Sequence, residues 1–315
     1  MKNMVKQGAL ARSKTWVWLA AGIAGGLLLL AIAAFALMGA GGGPKSLEWG
    51  RGCVAEIEVR GEIVADDTPG SLFSAGQAGA ETIAKMVEEA DQRSDVKAIL
   101  LTVDSPGGSP VGSRDIYRAL KESKKPKVAY FREMAASGGY YAAMGTDYIV
   151  SEPDALTGSI GVRASIADLS GLFAKIGYNE TEITSGELKD IGNPARPMTE
   201  RERAIMQAIV NESFEEFRDV VAQSRGARLS HPQFEQILDA RVLSGRQALP
   251  IGMVDALGSR KDAILKASQM ANETDALEVC AIHPSDGGGW LSRVLGGALA
   301  GPVWPKIQGN WQLRY

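Results

Sequence analysis

Between Thr15 and Met38 the chain runs for 24 residues without a charge, TWVWLAAGIAGGLLLLAIAAFALM. As a helix at about 1.5 Å per residue it reaches roughly 36 Å, enough to cross a bilayer. Trp16 and Trp18 open the run, where interfacial aromatic rings belong, and Lys2, Lys6, Arg12 and Lys14 precede it. The positive-inside rule puts this basic end in the cytoplasm and everything after the run on the opposite side of the membrane. A cleavable leader is the rival reading, because Ala34-Phe35-Ala36 has a small-x-small form. Leaders have an apolar stretch of only about 7–15 residues, which favours an uncleaved anchor.

Charge follows the same division. Residues 1–47 hold five cations and no acid, so the rest of a chain with formal net charge −3 carries −8. An acidic body argues against nonspecific nucleic-acid binding, which needs a basic face to release counterions. With 45% hydrophobic and 23% charged residues, the chain is neither wholly disordered nor a multi-span membrane protein. Two cysteines, Cys53 and Cys280, exclude a disulfide-rich scaffold and fit no zinc spacing. A single disulfide and two unrelated thiols both remain open. The organisation expected is a basic segment 1–14, an anchor 15–38, a flexible Gly-rich linker 39–50, a body 51–284 and a tail 285–315.

Within the body, apolar runs alternate with amphipathic stretches, the pattern of βαβ units and a largely parallel sheet. Strands are expected at 53–59, 97–103, 127–131, 147–151, 178–184 and 277–282, with helices at 77–92, 111–123, 137–145, 166–176 and 199–224. The last of these opens with Thr199 and has Glu202 three residues on, a capping box. The tail differs in kind: it carries three of the six Trp and seven Gly, with no acid after Asp286. It reads as a solvated tail; the alternative is that Trp290, Leu291, Val294, Leu295 and Leu299 form an apolar helix face for the membrane interface or a neighbouring subunit.

Two Gly-rich turns follow strand candidates: Asp104-Ser105-Pro106-Gly107-Gly108, and Ala135-Ala136-Ser137-Gly138-Gly139. In a parallel sheet both lie at carboxyl strand ends, where ligands collect. Glycine lets backbone N–H groups approach a ligand closely, and a helix starting at Ser137 adds its positive end, so the pair describes an oxyanion hole with a serine in it. Most Gly-Gly turns only satisfy backbone angles and most helix-start serines are caps, so a nucleophilic Ser137 needs a base. His231 and His283 are the only histidines, and sequence spacing excludes neither. A lysine is the alternative, because burial favours the neutral amine that accepts a proton. Lys189 is a candidate, and Glu187 and Asp190 beside it equally suit an ordinary surface cation.

The stretches MAASGGYYAA and LTGSIGV, together with DSPGG at 104–108, SGELKDIGNPARPMTERERAIMQ at 185–207 and LSGRQALPIGMVDALGS at 243–259, resemble the signal peptide peptidase A family in its short, unduplicated form. The resemblance spans about Val54 to Asn272 and rests on long motifs. It implies an α/β fold of the Clp protease and crotonase kind, a superhelix of repeated ββα units, preceded by one transmembrane helix. It also implies a membrane-anchored serine endopeptidase with a Ser–Lys dyad, Ser137 as nucleophile and Lys189 as base. The same resemblance implies that Ser159 orients the lysine and that the N–H groups of Gly138 and of Gly107 or Gly108 form the oxyanion hole. The implied substrates are apolar signal-peptide remnants left after release from preproteins, and the implied assembly is a ring-like homo-oligomer. No cofactor or metal and no nucleic acid is implied. Pro250 interrupts the expected GRQAL helix and Arg60 sits in an early strand, departures that touch no catalytic role. Rival readings are a related anchored protease cutting one membrane partner, a noncatalytic peptide-binding scaffold, and an acyl-CoA enzyme using the same oxyanion turns. The last is disfavoured because an exported domain would not meet coenzyme A.

Overall fold

The computed structural model describes residues 52–67, 79–282 and 313–314, all within the unit Arg51–Tyr315. The expected anchor and linker and most of the tail, with His283, lie outside the described residues. In chain order the elements are β1 (Cys53–Arg60), α1 (Ala80–Gln92), β2 (Val96–Ser105), α2 (Pro110–Glu122), β3 (Lys127–Ala136), α3 (Gly138–Ala143), β4 (Tyr148–Ser151), β5 (Leu156–Gly158) and β6 (Arg163–Ala164). There follow α4 (Ser170–Ile176), α5 (Glu200–Arg225), α6 (His231–Glu235), β7 (Val242–Ser244), α7 (Gly245–Ile251), β8 (Ala256–Leu257), α8 (Arg260–Met270), β9 (Glu278–Ala281) and β10 (Leu313–Arg314).

The main sheet runs β7-β5-β3-β2-β1-β9, with β4 on β3 and β8 on β4. Its pairs are parallel except β5 with β7. The apolar run of β2 is continuous because both faces are covered, as in parallel sheets generally. Ile99, Leu101 and Val103 join Ile83 and Val87 of α1, Ile116 of α2 and Phe217 of α5 in one core, while Ala98 and Leu100 join Ala263 and Ala267 of α8 in another. Strand β3 is where the sheet forks: Val128–Phe131 pair with β4, and Met134–Ala136 pair with β5. That continuation past Phe131, which the apolar run alone does not predict, carries the chain to Ser137.

The expected capping box of α5 is present, Thr199 Oγ1 accepting from the Glu202 N–H at 3.3 Å and Glu202 Oε2 from the Thr199 N–H at 2.8 Å. Residues 178–184, expected as a strand, form none. No strand of the described residues pairs with them, Ile183 is 95% exposed, and Tyr178 turns back onto the Phe173 ring. Pro250 does not break α7; it sits in the last turn, where the helix is closing on Gly252. Helix α4 begins at Ser170, four residues later than expected, and buries no side chain.

Cys53 and Cys280 form a disulfide, their Cα atoms 5.8 Å apart, between β1 and the edge strand β9. Three of the four β9 residues are exposed, so pairing and packing alone hold this strand weakly. The link spans 227 residues of sequence. Cross-linking so long a loop restricts the unfolded chain, and replacing both cysteines by serine is expected to lower the unfolding free energy by about 2–5 kcal/mol. Urea unfolding with and without reductant reads this directly; identical midpoints would refute it.

Candidate active site

Three strand ends converge. After β3 the chain turns sharply at Ser137, whose φ of 55° and ψ of −121° lie outside the regions an L-residue ordinarily occupies. Such strain persists only where surroundings impose it. Here the Ser137 N–H donates to the Gly158 carbonyl at 2.8 Å, and the Ser137 carbonyl accepts the first helical bond, from Tyr141, at 2.9 Å. Helix α3 is short but buried throughout. Tyr140 donates its hydroxyl to the Met253 carbonyl at 2.8 Å, and the Tyr141 ring packs edge-on against Tyr117 and Phe217. These two tyrosines fasten the helix on which the serine stands. Full burial pushes the Tyr140 hydroxyl well above its usual range, so it stays a neutral donor.

Ser159 lies beside it. Ala136 and Gly158 are the last register partners on β3 and β5, so Ser137 and Ser159 each follow that pair, and both have positive φ. The Ser159 N–H donates to the Arg241 carbonyl at 2.9 Å.

The β2 turn supplies the third wall. Gly138 packs so closely on it that a Cβ would come within 2.4 Å of Ser113 Oγ and 3.2 Å of the Gly108 nitrogen. Only glycine permits this approach. Ile63 bridges the turn, its N–H donating to Gly107 and its carbonyl accepting from Ser109, each at 2.8 Å. Gly108, between them, directs its own N–H to the other side, as the middle residue of a parallel bridge does. Gly107 is different: its N–H is taken by Ser105 Oγ at 3.1 Å. The N–H of Gly138, at the first position of α3, is among those a helix leaves without an internal acceptor. The Gly108 nitrogen thus lies close to Gly138, while the Gly107 N–H is used within the turn.

Ser105 and Ser113, both buried, are supports that inspection of the sequence does not single out. Ser113 Oγ donates to the Ser109 carbonyl at 2.9 Å, securing the start of α2 against the Gly138 backbone. The DSPGG turn was the available signal for Ser105, one residue from a proline and two from a glycine.

Lys189 stands apart from this convergence. It is exposed, on a segment of turns between α4 and α5, and among the described residues no hydrogen bond joins Ser137 Oγ to it or to His231. A cavity of about 500 Å³ lies between that segment, β6 and α5, lined by Val162, Ile166, Met198 and Met206 among others, and Ser137 does not line it. At its rim Leu313 and Arg314 pair antiparallel with Ala164 and Arg163.

A serine on a strained strand-to-helix turn, with the Gly108 and Gly138 nitrogens near it in the fold, is suited to acyl transfer. Residues 119–274 match the family described as Peptidase family S49. A putative protease of Methanocaldococcus jannaschii is 36% identical over 222 residues, 70% of this chain and 71% of that protein. A putative signal peptide peptidase SppA of Enterococcus faecium is 32% identical over 250 residues, 78% of this chain and 71% of its own. Among solved structures, ClpP1 of Listeria monocytogenes superposes with a TM-score of 0.43 at 17% identity, over 66% of this chain and 94% of that one. The sequence matches make this mixed α/β protein a serine peptidase. The chain belongs to peptidase family S49.

Proposed function

We propose that the protein is a membrane-anchored endopeptidase that degrades apolar remnants of signal peptides, with Ser137 as nucleophile and Lys189 as general base. The observation that carries this reading is the backbone at Ser137, forced to positive φ between β3 and α3 with the Gly108 and Gly138 nitrogens beside it. The neutral Lys189 amine takes the Ser137 hydroxyl proton as Oγ attacks the peptide carbonyl carbon. The Gly108 and Gly138 N–H groups hold the oxyanion, and the ammonium then protonates the departing amine. Water, deprotonated by the same lysine, releases the acyl group and restores the serine. Ser159, beside Ser137, orients the lysine amine.

Because Lys189 is exposed in a single chain, the base in this reading reaches the serine of a neighbouring copy in a ring-like homo-oligomer. That segment and the preceding α4 also expose Ile183 (95%), Leu172 (54%) and Ile176 (66%), apolar surface that assembly would cover. The disulfide supports a body on the extracytoplasmic side, where thiols are oxidised, and residues 15–38 supply the span. The name of the Enterococcus relative supports the substrate class.

A fluorophosphonate should label Ser137 in the wild-type chain and label it far more slowly in Lys189→Ala, which lacks the base. Mass mapping of the labelled peptide and the labelling rates of the two chains provide the check. Label on another residue, or equal rates in the two chains, would count against the dyad.

A further inference from the structure

A lysine that acts as a base on another group has to leave its own loop in a fixed direction, and little in the Lys189 segment is regular. From Gly177 to Met198 the chain forms neither helix nor strand. Around the lysine it makes short turns: the Lys189 N–H donates to Gly186 at 3.0 Å, that of Ile191 to Leu188 at 3.3 Å and that of Asn193 to Asp190 at 2.9 Å. These shape the segment without fastening it to a rigid element. The Leu169 N–H donating to the Pro194 carbonyl at 2.8 Å ties it only to the start of α4, which is itself exposed.

Two ion pairs lead from this segment to α5. Arg201 with Glu187 is exposed on both sides, at 64% and 78%, and such pairs restrain little. The other is centred on Arg196. Its Nε donates to Asp190 Oδ2 at 2.9 Å, and its terminal nitrogens donate to both carboxylate oxygens of Glu202, one of them at 2.9 Å. The Glu202 side chain is 2% exposed and that of Asp190 17%, so water competes weakly for either end. Glu202 is locked into the α5 capping box through Thr199. Arg196, with some help from that cap, holds the Glu202 carboxyl down at about 2, so the bridge keeps its charges under working conditions. The planar guanidinium thus spans from the residue next to Lys189 to the first turn of a helix of 26 residues.

We propose that Asp190 and Arg196 are positioning residues for the general base: through Glu202 they fix the direction in which Lys189 leaves its loop, and they touch no substrate. The inference rests on the Ser137–Lys189 reading. A lost anchor that lets a catalytic group wander by about 1 Å costs on the order of 10²-fold in rate.

The decisive variant is Asp190→Asn in the full chain, solubilised in detergent, because it keeps the Arg196–Glu202 pair and the α5 cap and weakens only the link to the lysine's turn. It should lower kcat by about 10- to 100-fold and leave KM within about 2-fold and the thermal midpoint within about 2 °C. Arg196→Met should lose at least as much, and Arg196→Lys should recover part of it, a single ammonium replacing one arm of the fork. Wild-type kcat in Asp190→Asn beside an inactive Lys189→Ala overturns the clamp and leaves the dyad standing. An active Lys189→Ala overturns both. A fall in kcat matched by an equal fall in folded fraction overturns the positioning role.

Discussion

Equimolar co-expression of Ser137→Ala and Lys189→Ala chains should restore peptide hydrolysis that neither chain has alone. Each single variant is expected to lose about 10⁴-fold or more in kcat, since nucleophile and base act as one unit. Lys189 is exposed and the Ser137 site lies at converging strand ends without it, which favours a dyad made between copies. In a head-to-tail ring each site draws its serine from one chain and its lysine from the next. Random mixing of the two variants then leaves roughly a quarter of sites with both groups intact, and hydrolysis should return to about that share of the wild-type rate. A dyad completed within one chain leaves every mixed site dead. Mixed assemblies without activity, at a subunit stoichiometry shown to be mixed, would therefore confine the lysine to its own subunit.

Replacing Arg225 by methionine should destabilise the domain by about 3–5 kcal/mol, because a buried ion pair loses one partner and leaves the other charge uncompensated. The side chains of Arg225 and Asp255 are 2% and 8% exposed, and they pair at 2.8 and 3.0 Å, while Arg225 Nε also donates to the Gly252 carbonyl at 2.8 Å. Asp255 additionally accepts the Ile149 N–H at 2.8 Å, so this one carboxylate ties α5 to β4. Arg228, 3.6 Å from the same carboxylate and half exposed, offers partial compensation, which places the expected loss toward the lower figure. The consequence extends to the site, since the Met253 carbonyl that anchors Tyr140 lies between Gly252 and Asp255. Denaturant unfolding measures the change; a loss below about 1 kcal/mol would mean that water or Arg228 replaces the pair.

Much of the scaffold was legible in the residues. The continuous apolar run of β2 announces a strand covered on both faces, and the Thr199–Glu202 spacing announces the start of α5. Ser137 was marked by its glycines at a strand end. Ser159 beside it, and Gly108 in place of Gly107 as the N–H facing Gly138, were not separable by spacing, because both depend on register between strands distant in sequence. The 178–184 stretch shows the converse error: it was expected as a strand, but a strand exists only where a neighbour offers its hydrogen bonds, and none among the described residues does. The Asp190–Arg196–Glu202 bridge was hidden in an ordinary-looking charged motif, since three charges within 13 residues read as a solvated face until burial of Glu202 shows otherwise.

Local chemistry, then, was determined by the residues themselves: a 24-residue uncharged run, a strand-end serine among glycines, a capping box, two cysteines and a lysine in a turn-rich motif. Each follows from periodicity, charge or backbone freedom, which act over a few positions. The tertiary structure alone decided what meets what: Cys53 with Cys280, Ser137 with Gly158, Gly138 against Gly108, and Asp190 with Arg196 and Glu202. Those pairings arise from strand register and from burial that removes water from particular charges. Both are properties of the packed chain that no short window of sequence contains.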